Sequence, residues 1–528
     1  MRGLTKASIG YAYFAGALLL LFSAASPFGD QEATLSATKG LVVASLWVTA
    51  CAGVGRLLFS KADFVETVAV GFGVYSLIFI VTLSASPPSF WLFQAACAAG
   101  LVLFGLHRAS PSLALPPKSV LWLIGLVVFV ALGDALSPPV DTDEIYQHLA
   151  LPHQLLLEGN LTASPLNPDA GRPLPIHLFN TALYSTGGSQ AAKVFHLWLC
   201  ALLLIQLYRI AQREFDNESA LVAVLLLVGS YSVVRELGLA YNNLPTALFC
   251  LLALDNALNN KPLPMALFSG MALAAKYTAA PVLVGVYLTW NWSRSSSSFA
   301  AGPLIKWTAV AGLFVAPWWL RNSLADLHPL FPYAGWENTT SPFMWTEKYG
   351  MGRDVGDFLS LPWNMTMHGD PESFVFLGKV SPAGLLLIPA FVFWGVNQHK
   401  RIALAATIAF LGWTAGPHWI RYLLPAAPIL ALALISGFRP LNRWGKTGVY
   451  LALALGLPGN WGPWLEDLSE RAPAALNSHK ANALLEKTVP GWQAVSWINA
   501  HTPKEAKVGL LFSWSKLYID RPFLLGSV

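Results

Sequence analysis

Apolar runs of about twenty residues recur along this chain, with few gaps long enough to hold a soluble domain. A helix needs about 20 mostly apolar residues to cross the hydrocarbon core of a bilayer. Inside that core every backbone N–H and C=O must find a partner within the protein. A bundle of membrane-crossing helices is the arrangement that meets both demands for such a sequence. Charge agrees: only 12% of the residues are charged and mean hydropathy is +0.51, against roughly 25% charged in soluble domains. The aromatic content (21 Trp, 15 Tyr, 29 Phe) suits belts at both interfaces. The fold class expected is therefore an all-α polytopic membrane protein. The net charge of +5 comes without any basic tract for nucleic acid. Cys51, Cys97, Cys200 and Cys250 each lie inside an apolar run and read as small buried hydrophobes, with no metal-type spacing and no disulfide framework.

Candidate spans are 7–25, 40–59, 65–84, 90–106 and 119–136, then 190–210, 220–234, 244–258, 263–275, 277–292 and 303–320, and finally 382–396, 402–415, 420–437 and 448–457. By the length rule that makes about fifteen. Arg2 and Lys6 precede the first run, which ends in Ser23-Ala24-Ala25-Ser26. The run is long for a signal-peptide core, so an uncleaved first helix is expected. Lys and Arg mark cytoplasmic connections. They fall at Arg2/Lys6, Arg56/Lys61, Arg108/Lys118, Arg209/Arg213, Lys261, Arg294/Lys306, Lys400/Arg401 and Arg439/Arg443/Lys446. The stretch Leu263–Trp292 decides the register. As one long helix it would invert everything downstream; as two short helices meeting near Lys276 it keeps the charge rule to the end. The second reading is adopted.

Three long segments then lie on the outer, non-cytoplasmic side: Ser137–Ser189, Arg321–Ser381 and the tail Gly459–Val528. Within the tail, Ala506–Phe512 has the pattern of a buried β-strand, so a small soluble α/β piece is expected there. The tail stops soon after Arg521-Pro522-Phe523, which leaves the completeness of the C-terminus open. There is no internal repeat of transporter type.

The chain's densest acid follows the run Leu121–Leu136. In Val140-Asp141-Thr142-Asp143-Glu144-Ile145-Tyr146-Gln147-His148-Leu149, three carboxylates occupy four positions just where the chain leaves the membrane. Ionisable groups at such a place are functional by default. The topology gathers further polar residues at the same outer helix ends: Arg235, Glu236, Asn242, Asn243, Lys276, Arg321, Asn322 and Arg421. Bland readings stand beside the functional ones. Asp141 and Glu144 fit a D-x-x-E capping box, which leaves Asp143 unexplained. His148, four residues after Glu144 on one helical face, is a hydrogen-bonded partner or a metal ligand, and His153 is similar. Lys276 can simply snorkel to the interface, and Arg321 can be a helix-end charge. Arg421 opens a helix after Pro417-His418-Trp419, a place where the dipole disfavours a cation, which favours a ligand-binding role. Asp141-x-Asp143 is formally a DxD triplet, a weak signal and on the wrong side for a cytoplasmic nucleotide-sugar donor.

An apolar helix, then Asp-Glu at its outer end, then an amphipathic run with Tyr146 and His148, resembles the GT-C membrane glycosyltransferases, in particular the protein O-mannosyltransferase and aminoarabinose-transferase branch. Ala275-Lys276-Tyr277-Thr278, Pro317-Trp318-Trp319-Leu320-Arg321-Asn322 with Pro329-Leu330-Phe331-Pro332, and Arg421-Tyr422-Leu423-Leu424-Pro425 extend the likeness in order from about Leu121 onward. The resemblance implies a GT-C-like helix bundle with long periplasmic loops. It divides the chain into extra N-terminal helices (1–118), a transmembrane catalytic domain (119–458) and a periplasmic C-terminal piece (459–528). It also implies a bacterial inner-membrane enzyme with a cytoplasmic N-terminus, a polyprenyl-phosphate-sugar donor and inversion at the anomeric carbon. Carried over by position, Asp143 matches the catalytic acid, with Glu144 and Asp141 beside it. Arg321, Arg421 and Lys276 match basic positions near the lipid phosphate, and Tyr146, His148 and Asn243 complete the substrate-binding set. Two departures matter. Asn243 stands where many relatives carry a second acid, and Leu327-His328 replaces a Gly-Asn. The first argues against a two-carboxylate scheme; no cofactor is implied outright, and a divalent metal stays open. The acceptor is a protein, a lipid or a glycan. Rival readings are a lipid or glycan transporter or flippase, a polysaccharide ligase, and a non-catalytic membrane scaffold.

Overall fold

The structure is a computed structural model and describes residues 30–107, 115–160, 163, 167–292, 301–335, 350–370, 375–511 and 515–526. The expected first span, 7–25, lies outside the described residues. Four helices open the described chain: α1 Gln31–Leu58, α2 Phe64–Ala85, α3 Phe90–Leu106 and α4 Lys118–Leu136. Asp30 and Asp63 cap α1 and α2 by accepting from the N–H groups of Ala33 and Glu66, at 2.8 and 2.9 Å. Such caps satisfy donors that the first helical turn leaves unpaired. Glycines let α1, α2 and α3 approach backbone to backbone, as is usual between membrane helices. A Cβ on Gly71 would stand 1.8 Å from the carbonyl oxygen of Cys51, and one on Gly53 would stand 2.0 Å from that of Gly100.

The acidic stretch leads through a single π-helical turn, Glu144–His148, into α5, Ala150–Glu158. The long helix α6, Pro175–Glu214, bends at Gly188, whose φ of 78° suits a residue without Cβ. The expected span 190–210 is only the part of α6 beyond that bend. The expected span 220–234 divides at Gly229-Ser230 into α7, Asn217–Val228, and α8, Tyr231–Glu236. Then come α9 Asn243–Leu258, α10 Pro262–Ala275 and α11 Ala280–Trp292. Lys276 separates the last two with extended dihedrals, φ −161° and ψ 126°, so Leu263–Trp292 is two helices, as the charge pattern required. The orphaned Ala275 carbonyl accepts from the Asn242 side-chain amide at 3.0 Å.

The remainder comprises α12 Ala301–Leu324, α13 Val355–Met367, α14 Ala383–Gln398, α15 Lys400–Thr414, α16 Ile420–Leu423, α17 Ala427–Ile435 and α18 Arg443–Arg471. Pro425, which has no N–H to give a helix, lies between α16 and α17 and breaks the expected span 420–437. No element ends at residue 459: α18 runs straight through that expected boundary. Among the described residues five helices are long and apolar enough to cross a membrane: α1, α2, α4, α6 and α12 from Gly302. With their shorter apolar neighbours they form a polytopic membrane bundle.

The tail adds α19 Ser478–Thr488, α20 Trp492–His501 and two short parallel strands, β1 Val508–Leu511 and β2 Phe523–Gly526, in register Val508 to Phe523. The small α/β piece expected there is present. It docks on the acidic segment. Tyr518 donates to the Pro139 carbonyl at 2.5 Å, His153 Nε2 lies 3.0 Å from the Ile519 carbonyl, and the Phe523 N–H reaches Glu158 at 3.4 Å. Asp30 ties the start of α1 to the same lobe: its N–H donates to the Leu476 carbonyl and its carboxylate accepts from the Ser478 N–H.

The Gly71→Leu variant should lose its seat against Cys51. We expect a thermal midpoint several degrees lower, matching an overpacking cost of about 1–3 kcal/mol, whereas Gly105→Leu, which meets nothing within 4 Å, should leave it unchanged.

Candidate active site

Three carboxylates within four residues repel one another unless each finds its own cation. The fold supplies one from a different helix in each case. Asp141 pairs with Arg235 of α8 at 2.5 Å and also accepts from the Tyr241 hydroxyl. Asp143 pairs with Arg421 of α16 at 2.5 Å. Glu144 accepts from the Ala240 N–H at 2.7 Å and lies 3.9 Å from the ammonium of Lys193 on α6. The capping box expected of Asp141 and Glu144 does not form, because the Glu144 carboxylate turns inward to Ala240 and the segment winds as a π turn.

Burial sorts the three acids. The Glu144 side chain is 0% exposed and that of Asp141 4%, whereas Asp143 keeps 31% and its partner Arg421 20%. Asp143 is the acid that stays reachable. Burial pushes the Glu144 carboxyl up to about 7, and the nearby Lys193 offsets this only in part. Arg235 and the Tyr241 hydroxyl outweigh burial at Asp141 and hold its carboxyl below the ordinary range. Lys193 is itself fully enclosed, bonded to the Ser137 carbonyl at 3.2 Å and lying 3.8 Å from Asp134, which Arg471 approaches to 3.5 Å. A charged floor of Asp134, Lys193, Glu144 and Arg471 thus underlies the acidic turn.

A second chain of contacts leads to Lys276. Its ammonium donates to Asn243 Oδ1, and the Asn243 amide donates in turn to Glu236 at 2.7 Å. The same ammonium lies 4.8 Å from the Tyr422 ring centre. Arg421 stacks over Trp419 and Tyr422 at 4.7 and 5.3 Å. Tyr422 is therefore shared by the two cations. Asn243, in place of an acid, links Lys276 to the acid Glu236 across the short loop between α8 and α9.

His148 Nδ1 lies 3.2 Å from His177 Nε2, and its ring packs against Tyr241; the hydrogen-bonded reading of His148 is the one seen. Among the described residues no three His, Cys, Asp or Glu side chains gather as a metal site. Arg321 is engaged elsewhere. It donates to the Ala170 carbonyl and to Asn322 Oδ1 at 3.2 Å, and lies over Trp318, so it braces the turn Pro168–Gly171. Tyr146 lies beneath the Lys516 ammonium, 3.5 Å from its ring centre.

The sequence reading passed over Arg172, Lys193 and Tyr241. Lys193 and Asp134 carried a usable signal, each being an ionisable residue inside an apolar run. Arg172 and Tyr241 carried none, since only the tertiary fold brings them here. The reading also left unseen an apolar cavity of about 350 Å³ walled by α7, α8, α13, α14, α15, α16 and α17. Its lining includes Ile420, Leu423 and Leu424, on either side of Arg421, and Ser232 and Val233, beside Arg235.

The raised Glu144 carboxyl makes stability depend on pH. A group whose folded value (about 7) exceeds its ordinary 4.5 stabilises the fold fully below about pH 4.5, and that contribution is lost as pH rises to 7. Glu144→Gln should flatten this part of a plot of thermal midpoint against pH; an unchanged slope would remove Glu144 as its source.

By sequence the chain matches no family model and no curated protein. By structure it is similar to the crystal structure of ArnT from Cupriavidus metallidurans bound to undecaprenyl phosphate, at TM-score 0.52 and 14% identity over 77% of this chain and 86% of that one. The apo form of the same protein gives TM-score 0.49 over the same shares. This chain is a polytopic membrane protein that shares the fold of the ArnT structure bound to undecaprenyl phosphate.

Proposed function

We propose that this protein is an inverting glycosyltransferase that moves a sugar from a polyprenyl-phosphate donor to an acceptor hydroxyl or amine on the periplasmic face of a bacterial inner membrane. The observation that carries this reading is the Asp143–Arg421 pair, half open, on the element that also walls the 350 Å³ apolar cavity. A half-lipid, half-anionic donor needs that juxtaposition of greasy wall and guanidinium. The structural likeness to a protein whose crystal structure holds undecaprenyl phosphate supports it, and so does the distribution of Lys and Arg, which puts the acidic turn opposite the basic connections.

In this scheme the prenyl chain lies in the cavity and its phosphate meets Arg421 and Lys276. The incoming phosphate competes for Arg421 and releases Asp143. The acceptor O–H or N–H attacks the anomeric carbon from the face opposite the phosphate, and its proton passes to Asp143. The bond from the anomeric carbon to the phosphate oxygen breaks, and its electron pair leaves on the polyprenyl phosphate. General-base help of this kind is worth about 10²–10⁴-fold, and cations aimed at the departing phosphate lower the barrier further. Asp141, Glu144, Asn243 and His148 are positioning residues here: the first two fix the turn, Asn243 aims Lys276, and His148 supports Tyr241. Arg321 shapes the neighbouring loop.

The test incubates purified protein with radiolabelled polyprenyl-phosphate sugars and membrane extract. Asp143→Asn should cut transfer by at least about 10²-fold with expression unchanged, and Arg421→Met should raise the donor concentration needed for half-maximal rate. Turnover like the wild type in Asp143→Asn would take Asp143 out of the chemistry.

A further inference from the structure

We propose that Lys516 and Arg172 form a second anion-binding subsite, built by the C-terminal lobe and the loop before α6, which takes a phosphate or carboxylate carried by the acceptor. The inference rests on the glycosyltransferase reading for the word acceptor, and on separate geometry for the subsite.

Lys516 is 5% exposed. A lysine whose side chain is largely buried ordinarily holds its ammonium against a carboxylate or carbonyl oxygens, or turns it to water. Among the described residues the Lys516 ammonium donates no hydrogen bond and has no carboxylate within 4.0 Å. The ammonium lies over the face of Tyr146, 3.5 Å from the ring centre. A cation–π contact compensates a desolvated charge only in part. Burial accordingly drives the Lys516 ammonium down to about 8 despite the attraction of Asp169. The site is thus short of negative charge.

Among the described residues Asp169 is the charged group that acts on it. Asp169 is already taken by Arg172 at 3.1 Å. Arg172 also donates to Gln147 Oε1 at 3.3 Å, which fastens it to the acidic turn, and it keeps 37% side-chain exposure. Tyr146 lies three residues after Asp143, within the electrostatic reach of Asp143, Asp169 and Arg172. Lys516, Arg172 and Arg421 against the two carboxylates Asp169 and Asp143 leave room for one more negative charge beside the turn. The bundle contributes Arg421 to Asp143, and the C-terminal lobe covers Tyr146 one turn further on. Donor and acceptor anions therefore have separate receptors flanking one base.

The test is a thermal-shift titration of the purified full chain with undecaprenyl phosphate saturating throughout, so that the donor pocket is filled. Methyl phosphate and acetate are the probes, each against chloride at equal ionic strength. The probe that matches the subsite should raise the wild-type midpoint by about 2 °C or more. That response should disappear in Lys516→Met and persist in Lys516→Arg. Should Lys516→Met fail to fold, Arg172→Gln serves, with the response at least halved. Which probe acts distinguishes a phosphate from a carboxylate. Equal responses in wild type and Lys516→Met, or no response to either probe, overturn the subsite. A missing shift with undecaprenyl phosphate alone overturns the donor reading instead, and the probe titration still judges Lys516.

Discussion

Everything at the candidate site follows from the mutual repulsion of three neighbouring carboxylates. Asp141, Asp143 and Glu144 cannot share one environment, so the fold answers with Arg235, Arg421 and Lys193 from three separate helices. The tight turn is thereby stitched into the bundle at three points. Removing one partner of such a buried pair leaves an uncompensated charge, at a cost of about 3–5 kcal/mol. The turn is consequently held where Asp141 and Glu144 enter the protein and open only where Asp143 faces out.

Broken helices serve the same end. Extended backbone at Lys276, the step at Gly229-Ser230 and the Pro425 turn each interrupt an apolar segment. Each interruption delivers a polar side chain, Lys276, Arg235 or Arg421, to one end of the bundle. Irregular backbone at membrane depth is tolerated only where it is buried in protein or lines a cavity. Here the Asn242 amide repairs the Ala275 carbonyl, and the apolar cavity lies between the α8 and α16 segments.

Much of this was legible in the sequence because bilayers impose length and charge rules. The helix boundaries at 65–84, 90–106 and 119–136 came within a residue or two of the elements found, and the break at Lys276 followed from the Lys and Arg pattern alone. Asp143 with Arg421 could be anticipated as members of one polar set. Their pairing could not, since nothing local links positions 278 residues apart. The resemblance puts Arg321 among the phosphate cations; its contact with the Ala170 carbonyl, set by how a proline-rich loop folds back, has no local signal. The π turn was missed because Asp141-x-x-Glu144 has the local pattern of an ordinary helix start, and the tertiary attraction of Ala240 and Lys193 overrode it.

The docking of Tyr518 on Pro139 joins positions 379 residues apart. During synthesis the acidic turn therefore leaves the ribosome long before the strand-bearing lobe that covers it exists. For that interval the growing chain holds its carboxylates without the lobe that docks on them, and the contacts of the first polar loop are complete only when the last lobe folds onto it.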